Sequence, residues 1–294
     1  LNSRGNKQNT TEATYKVVGL GKTGCGIADQ FRQYPEYEVF RISSDAAIDN
    51  DLYIQPEKNI EDYEKNFDAV EADLFFKDSF EEGDQIIFAL EGGDPVAGIT
   101  LSLLEKIKQT KITVIYMKPD QDVSSVIQMR DDRIVYNVLQ EYTRSGLFER
   151  MYILERSRIE EMVGDVPISE YEKSVYHFVA YIPAMINYFD NTGSILESKT
   201  EPLEISRLAT YGLTSLEKNI DIKFLFPIDE EKSAHFYFGI PDQMLATDNK
   251  LMQKIKSQVK RFSKDGVDTG YSVHSTELDA VIVLCSFFSH KIQS

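Results

Sequence analysis

Cysteine is scarce: Cys25 and Cys285 are the only two in the chain. Two cysteines make no disulfide framework and fit no zinc spacing. The four histidines, His177, His235, His274 and His290, stand apart from one another and from any cysteine, which leaves a metal-hydrolase reading without ligands. No apolar run approaches the ~20 residues that cross a bilayer. Leu1 to Thr14 is polar, lacks an apolar signal core and reads as a loose tail. The sparse cysteines fit a reducing cytoplasm. Positive charge is also in short supply. Lys and Arg number 32 against 48 Asp and Glu, a formal net charge of −16. That balance argues against general nucleic-acid binding, which needs a basic footprint. The acidic crowding from Glu57 to Asp84 reads as a solvated face.

What is present is a globular composition, 42% apolar in 294 residues, enough for about two domains. Short apolar runs at 15–20, 38–42, 85–90, 112–117 and 151–154 read as strands. The runs at 85–90 and 112–117 are almost wholly apolar, as in strands covered on both faces of a parallel sheet. Between them lie helical periods: Ile27 with Phe31; Leu101, Leu104 and Ile107; and a long helix over 123–145. Strands alternating with helices imply right-handed crossovers and a parallel sheet. The stretch 49–83 is part helix, part loop. A second long helix spans 169–189 on Val175, Phe178, Val179, Ile182 and Ile186, and Pro183 inside it is expected to kink or break it. Beyond residue 191 strands dominate, at 206–211, 222–226, 234–240, 270–274 and 278–288, with one helix at 249–262.

Two glycine loops carry the chemistry. Gly19-Leu20-Gly21-Lys22-Thr23-Gly24 fits G-x-G-x-x-G between a strand and a helix. Glycine lets the backbone turn tightly and approach a phosphate, and the helix N-terminus supplies free N–H groups and partial positive charge. The motif specifies phosphate or dinucleotide without saying which. A P-loop is excluded because Lys16 stands where that pattern needs glycine. The second loop, Glu91-Gly92-Gly93-Asp94-Pro95-Val96-Ala97-Gly98, follows a central strand and offers N–H groups from the same sheet edge. Glu91 and Asp94 would repel phosphate there unless Mg²⁺ bridges them. A plain βα turn is the alternative for either loop. Tyr171 and Tyr176 could stack on a base, although packing in the core is the commoner use of such residues.

The order of these features resembles the tubulin/FtsZ superfamily. Gly19-Leu20-Gly21-Lys22-Thr23-Gly24-Cys25-Gly26 aligns without gaps on the opening phosphate loop of FtsZ-like proteins. Residues 41–45 resemble the second strand and its loop, 85–108 the strand, signature loop and helix, and 169–189 the central core helix. Residues 207–212 and 234–288 resemble the C-terminal domain. The fold implied is α/β: a parallel-sheet nucleotide-binding domain over 15–190, including the core helix, joined to an α+β domain over 191–294. The function implied is a GTP-binding cytoskeletal filament subunit with weak or altered GTPase activity. GTP or GDP, with Mg²⁺, would be held by Gly19, Gly21, Lys22, Thr23, Gly24, Cys25, Gly26, Asp45, Gly92, Gly93 and Gly98, and self-association would be longitudinal.

Departures from the pattern are specific. The signature loop is one residue short and has lost its hydroxyls and most of its glycines. No glycine lies between Asp49 and Asp73, where the γ-phosphate loop belongs. Arg156 or a neighbour stands where an Asn reads the nucleotide. The catalytic loop after the core helix is not recognisable; Asp190, Glu197, Glu201 and Glu204 are the acidic candidates, with Glu197 nearest by spacing. These losses support a second reading, a pseudo-GTPase scaffold that binds no nucleotide. A third is a Rossmann-type NAD oxidoreductase, suggested by G-x-G-x-x-G with Asp45 about twenty residues on.

Overall fold

A computed structural model describes residues 15–198, 202–217, 221–263 and 266–294. The expected tail at 1–14 and the candidate Glu201 lie outside them. The elements in chain order are β1 (Tyr15–Leu20), α1 (Gly21–Gln30), β2 (Tyr37–Ser43), β3 (Leu52–Tyr53), α2 (Ile60–Asn66), α3 (Ala69–Ser79), β4 (Gln85–Glu91), α4 (Thr100–Lys106), β5 (Lys111–Lys118), α5 (Val126–Arg144), β6 (Arg150–Glu155), α6 (Arg156–Val163), α7 (Tyr171–Asn191), β7 (Leu196–Ser198), β8 (Leu208–Thr214), β9 (Lys223–Phe224), β10 (Glu231–Pro241), α8 (Asp242–Thr247), α9 (Leu251–Phe262), β11 (Asp268–Thr276) and β12 (Ile282–Ser289).

The strands form one sheet in the order β3-β2-β1-β4-β5-β6-β8-β12-β10-β11-β7, with β9 hanging on β8. From β3 to β6 every pairing is parallel. The sheet continues across the expected 190/191 boundary because β6 and β8 pair in parallel, over Met151↔Leu208 and Tyr152↔Ala209. Beyond β8 the pairings are mainly antiparallel, with β10 and β11 parallel.

Strand alternation divides the core into two layers. On β5, Ile112, Val114 and Tyr116 face the cluster that covers α2, α3, α4, α5 and α9. Ile115 and Met117 face the other cluster, with α1, α6 and α7. Both faces are covered, so β1, β4 and β5 are nearly continuous apolar runs, as the sequence pattern predicts.

Several differences from the sequence expectations have local causes. The stretch 49–83 holds β3, α2 and α3; α2 and α3 are capped by the side chains of Asn59 and Asp68 on the N–H groups of Asp62 and Val70. The long helix begins at Val126 rather than 123, because Ser125 and Gln128 form a reciprocal capping box. Pro183 does not break α7, which is one helix of 21 residues. Buried Val175, Val179, Ile182, Ile186 and Phe189 hold it on both sides of the proline, and that packing outweighs the ~3 kcal/mol interior cost of proline. The short helices α6 and α8 and the edge strand β7 are too brief to repeat an apolar period that would reveal them. The strand expected at 222–226 narrows to Lys223–Phe224, and the last strand begins at Ile282 rather than 278.

One buried polar network supports the centre of the sheet. Asp132 accepts from the Tyr116 hydroxyl at 2.7 Å and pairs with Lys118 at 3.0 Å. The Lys118 ammonium also lies 3.6 Å from the Tyr136 ring centroid. All four residues are buried. Asp132→Ala leaves Lys118 without its anion and is expected to cost roughly 3–5 kcal/mol, against a smaller loss in Asp132→Leu/Lys118→Met, where no buried charge remains. Denaturant midpoints of the three proteins check this; equal losses in both variants would contradict it.

Candidate functional site

β1 is the switch point of the parallel sheet: β2 and β3 lie to one side of it and β4 to β6 to the other. Open α/β sheets place their clefts at the carboxyl ends of the strands beside such a point. A cleft of about 480 Å³ opens there. Its walls come from the segments that follow β1 (Lys22, Thr23), β4 (Gly93, Asp94, Pro95), β5 (Pro119, Asp120) and β6 (Arg156, Glu160), and from the start of α7 (Tyr171, Glu172, Tyr176).

Gly21 opens α1 at φ +73°, a left-handed conformation that suits glycine. The first turn of α1 has no acidic residue and its N-cap, Leu20, has no capping side chain. A carboxylate from the second loop serves instead. Asp94 Oδ2 accepts from the Lys22 N–H at 3.4 Å, while Oδ1 accepts from the Val96 N–H at 3.1 Å. Asp94 thereby also caps the 3₁₀ turn Pro95–Ile99. A Cβ on Gly21 would sit 2.4 Å from Asp94 Oδ2, so the glycine makes room for the protein's own carboxylate.

A second carboxylate extends this arrangement. Thr23 Oγ1 donates to Glu91 Oε2 at 2.6 Å, and Arg156 Nε donates to Glu91 Oε1 at 3.1 Å. Arg156 also lies 3.6 Å from Glu160 and 3.5 Å from Glu172. Burial works against the guanidinium charge, but Glu91 and Glu172 more than offset it and raise its pKa. Burial likewise opposes the charge on Glu172, yet Tyr176 and Arg156 hold its carboxyl below the usual value. Burial pushes Asp94 upward, with Glu91 adding to the rise and the two N–H donors opposing it.

The remaining glycines of both loops serve close packing. A Cβ on Gly19 would meet the Gly24 carbonyl oxygen, one on Gly24 the Ala89 carbonyl oxygen, and one on Gly26 the Tyr176 ring, each at 2.3 Å. Gly92 lies against the Tyr116 hydroxyl and Gly98 against the backbone of Ile60. Cys25 is buried with its thiol toward the carbonyls of Gly19 and Ile42, and burial pushes that thiol up to about 12. Of the sequence-derived site residues, Lys22, Thr23 and Gly93 line the cleft. Asp45 instead closes a turn, accepting from the Ala47 N–H. Glu197 lies on edge strand β7, bonded to Ser194 and paired with Ser272 of β11. Tyr176 lines the cleft but packs on Gly26, and Tyr171 lines its rim. Glu160 and Glu172, absent from the sequence-derived set, complete the setting of Arg156.

No protein-family model and no curated protein matches the sequence. Solved structures do. An empty FtsZ dimer from M. jannaschii matches over 96% of this chain and 89% of its own, at 14% identity and a TM-score of 0.69. The GTPγS-form protofilament of TubZ from Bacillus thuringiensis serovar israelensis matches over 95% and 87%, at 14% and 0.70. CetZ from Methanosaeta thermophila matches over 95% and 87%, at 12% and 0.68. This is the tubulin/FtsZ fold.

Within the tubulin/FtsZ fold the cleft lies where the resemblance puts a nucleotide, but its residues do not fit a triphosphate. Five carboxylates, from Glu91, Asp94, Asp120, Glu160 and Glu172, face two cations, Lys22 and Arg156, and Arg156 is already paired. A phosphate charge about 4 Å from Asp94 meets a repulsion of ~4 kcal/mol at an effective dielectric of ~20. The helix terminus returns at most ~2 kcal/mol. Among the described residues no group of three or more His, Cys, Asp or Glu is placed to hold a metal ion.

The raised Asp94 pKa has a definite sign. Relative to an ordinary carboxyl at 3.8, the native state takes up this proton first as pH falls. The stability so gained is present at low pH and is lost as pH rises through the raised value. The stability of the parent relative to Asp94→Asn is therefore expected to increase on acidification from neutral pH toward the ordinary carboxylate range. Urea melts at several pH values measure it; a difference independent of pH would contradict the assignment.

Proposed function

We propose that this chain is a tubulin/FtsZ-like filament subunit that assembles without nucleotide. The observation that carries the reading is the Asp94 carboxylate, which caps α1 and the following 3₁₀ turn together. One N–H of each loop that would face a phosphate, Lys22 and Val96, is thus bonded from within the chain. Glu91 does the same for the Thr23 hydroxyl, and Arg156 neutralises Glu91. This favours the pseudo-GTPase reading over the GTP-binding one. Hydrolysis depends on positioning and charge stabilisation around a bound phosphoryl group, and the cleft offers an excess of negative charge instead. An NAD-linked reading meets the same obstacle, because a pyrophosphate also needs the N-terminus of α1.

Assembly is supported by the neighbours in fold. They include a TubZ protofilament and a two-stranded TubZ filament. A heterologous contact that repeats without closing yields an open filament, and the sheet supplies two unlike ends for such a contact. The division of the chain at about residue 190, into the first sheet half with α7 and a second half, belongs to the same proposal.

Pelleting of the purified chain with and without GTP, GDP and Mg²⁺ tests the reading. The expected result is assembly that depends on protein concentration and changes by less than about two-fold with nucleotide, an effect under ~0.5 kcal/mol. Assembly that requires GTP would overturn it, as would failure to assemble under every condition.

A further inference from the structure

At the opposite edge of the sheet the charge balance reverses. A cleft of about 520 Å³ opens beside the N-terminal ends of β5 and β6 and the approach to β8. Lys108, Lys111, Arg150 and Arg207 line it, against Glu149 and Glu204. Among the described residues, four cations and two carboxylates leave a local charge of +2 in a chain of −16. Lys108 and Lys111 flank the start of β5, Arg150 opens β6 and Arg207 precedes β8, so the fold brings three separate segments together.

The arginines are fixed in place. Arg207 Nη1 donates to the carbonyl oxygens of Phe148 and Glu149, each at 3.3 Å. The Arg150 guanidinium lies 4.5 Å from the Phe288 ring centroid. Among the described residues, neither Arg150 nor Lys111 has a carboxylate partner. Lys108 lies 3.9 Å from Glu105, with both side chains largely exposed, a pair of little strength. An independent observation comes from Ser206, which also lines the cleft. It is fully buried, and its Oγ has no hydrogen-bond partner among the described residues. A buried hydroxyl without a partner is costly, and a small acceptor that displaces the cleft wall enough to reach it would relieve that cost.

We propose that this basic cleft binds a phosphate dianion, free or as a phosphate monoester. A phosphate monoester carries about −1.5 to −2 at neutral pH and presents three strong acceptor oxygens. That charge matches the cleft, whereas a single carboxylate would neutralise half of it. The arginine forks suit paired phosphate oxygens and the lysines add point charges. The Ser206 hydroxyl donates the remaining bond. This site is independent of what the first cleft holds.

Thermal melts of the full chain in increasing inorganic phosphate, against chloride at matched ionic strength, test the proposal. The parent is expected to show saturable stabilisation, as a ligand that binds only the native state must produce. Lys108→Gln/Lys111→Gln, which alters exposed side chains, is expected to melt like the parent without phosphate and to bind it about 10-fold more weakly. Ser206→Ala is expected to weaken binding about 5-fold. Phosphoserine as a second titrant separates the sources: tighter binding than inorganic phosphate indicates a phosphorylated molecule, and equal or weaker binding indicates the free anion. The absence of saturable stabilisation, or equal stabilisation in the double-lysine variant, would overturn the proposal. So would phosphate that lowers self-association in sedimentation without stabilising the fold, which would assign the cleft to carboxylates of a second copy.

Discussion

One carboxylate governs the business end of this molecule. Asp94 joins the loop after β4 to the N-terminus of α1 through two backbone N–H groups, those of Val96 and Lys22. Its position explains the glycine at residue 21, where any larger residue would collide with it. It also explains why α1 begins without a capping side chain of its own. Glu91 repeats the arrangement one step away, between the Thr23 hydroxyl and the Arg156 guanidinium. Two negative charges and one positive charge on the chain thus occupy a cleft that the tubulin/FtsZ fold places at the switch point of its parallel sheet. A ligand carrying several negative charges would have to displace them.

Much of the fold was legible because its strands are covered on both sides. The runs at 85–90 and 112–117 are apolar throughout for that reason, and the βαβ order follows from them. The core helix was legible from its 3.6-residue stripe; Pro183 does not break it, and local propensity says nothing about the packing on either side of it. The polar helix α6, which carries Arg156, and strand β7, which carries Glu197, were hidden. α6 is only eight residues long and its apolar side chains are confined to Ile159, Met162 and Val163, and β7 is exposed at all three positions.

The candidate site was legible in outline and not in sense. The pattern Gly19-Leu20-Gly21-Lys22-Thr23-Gly24 marks a tight strand-to-helix turn, but Gly19 and Gly24 are needed for that turn to pack whether or not a phosphate follows. Glu91 and Asp94 were visible as intruders in the second loop. Their partners were not, because Lys22 and Thr23 come from α1 and Arg156 from α6. The basic cleft is a stronger case still: Lys111, Arg150, Ser206 and Arg207 meet only where parallel strands start side by side. Its charge is invisible in a composition dominated by acid.

On the proposed reading, carboxylates of the chain stand in the place of phosphate. The most direct measurement is equilibrium binding of GTP to the parent and to Glu91→Gln/Asp94→Ser. No saturable binding to the parent and measurable binding to the double variant are expected, since removing two like charges relieves a repulsion of several kcal/mol at about 4 Å. Saturable GTP binding to the parent that weakens in the variant would contradict it.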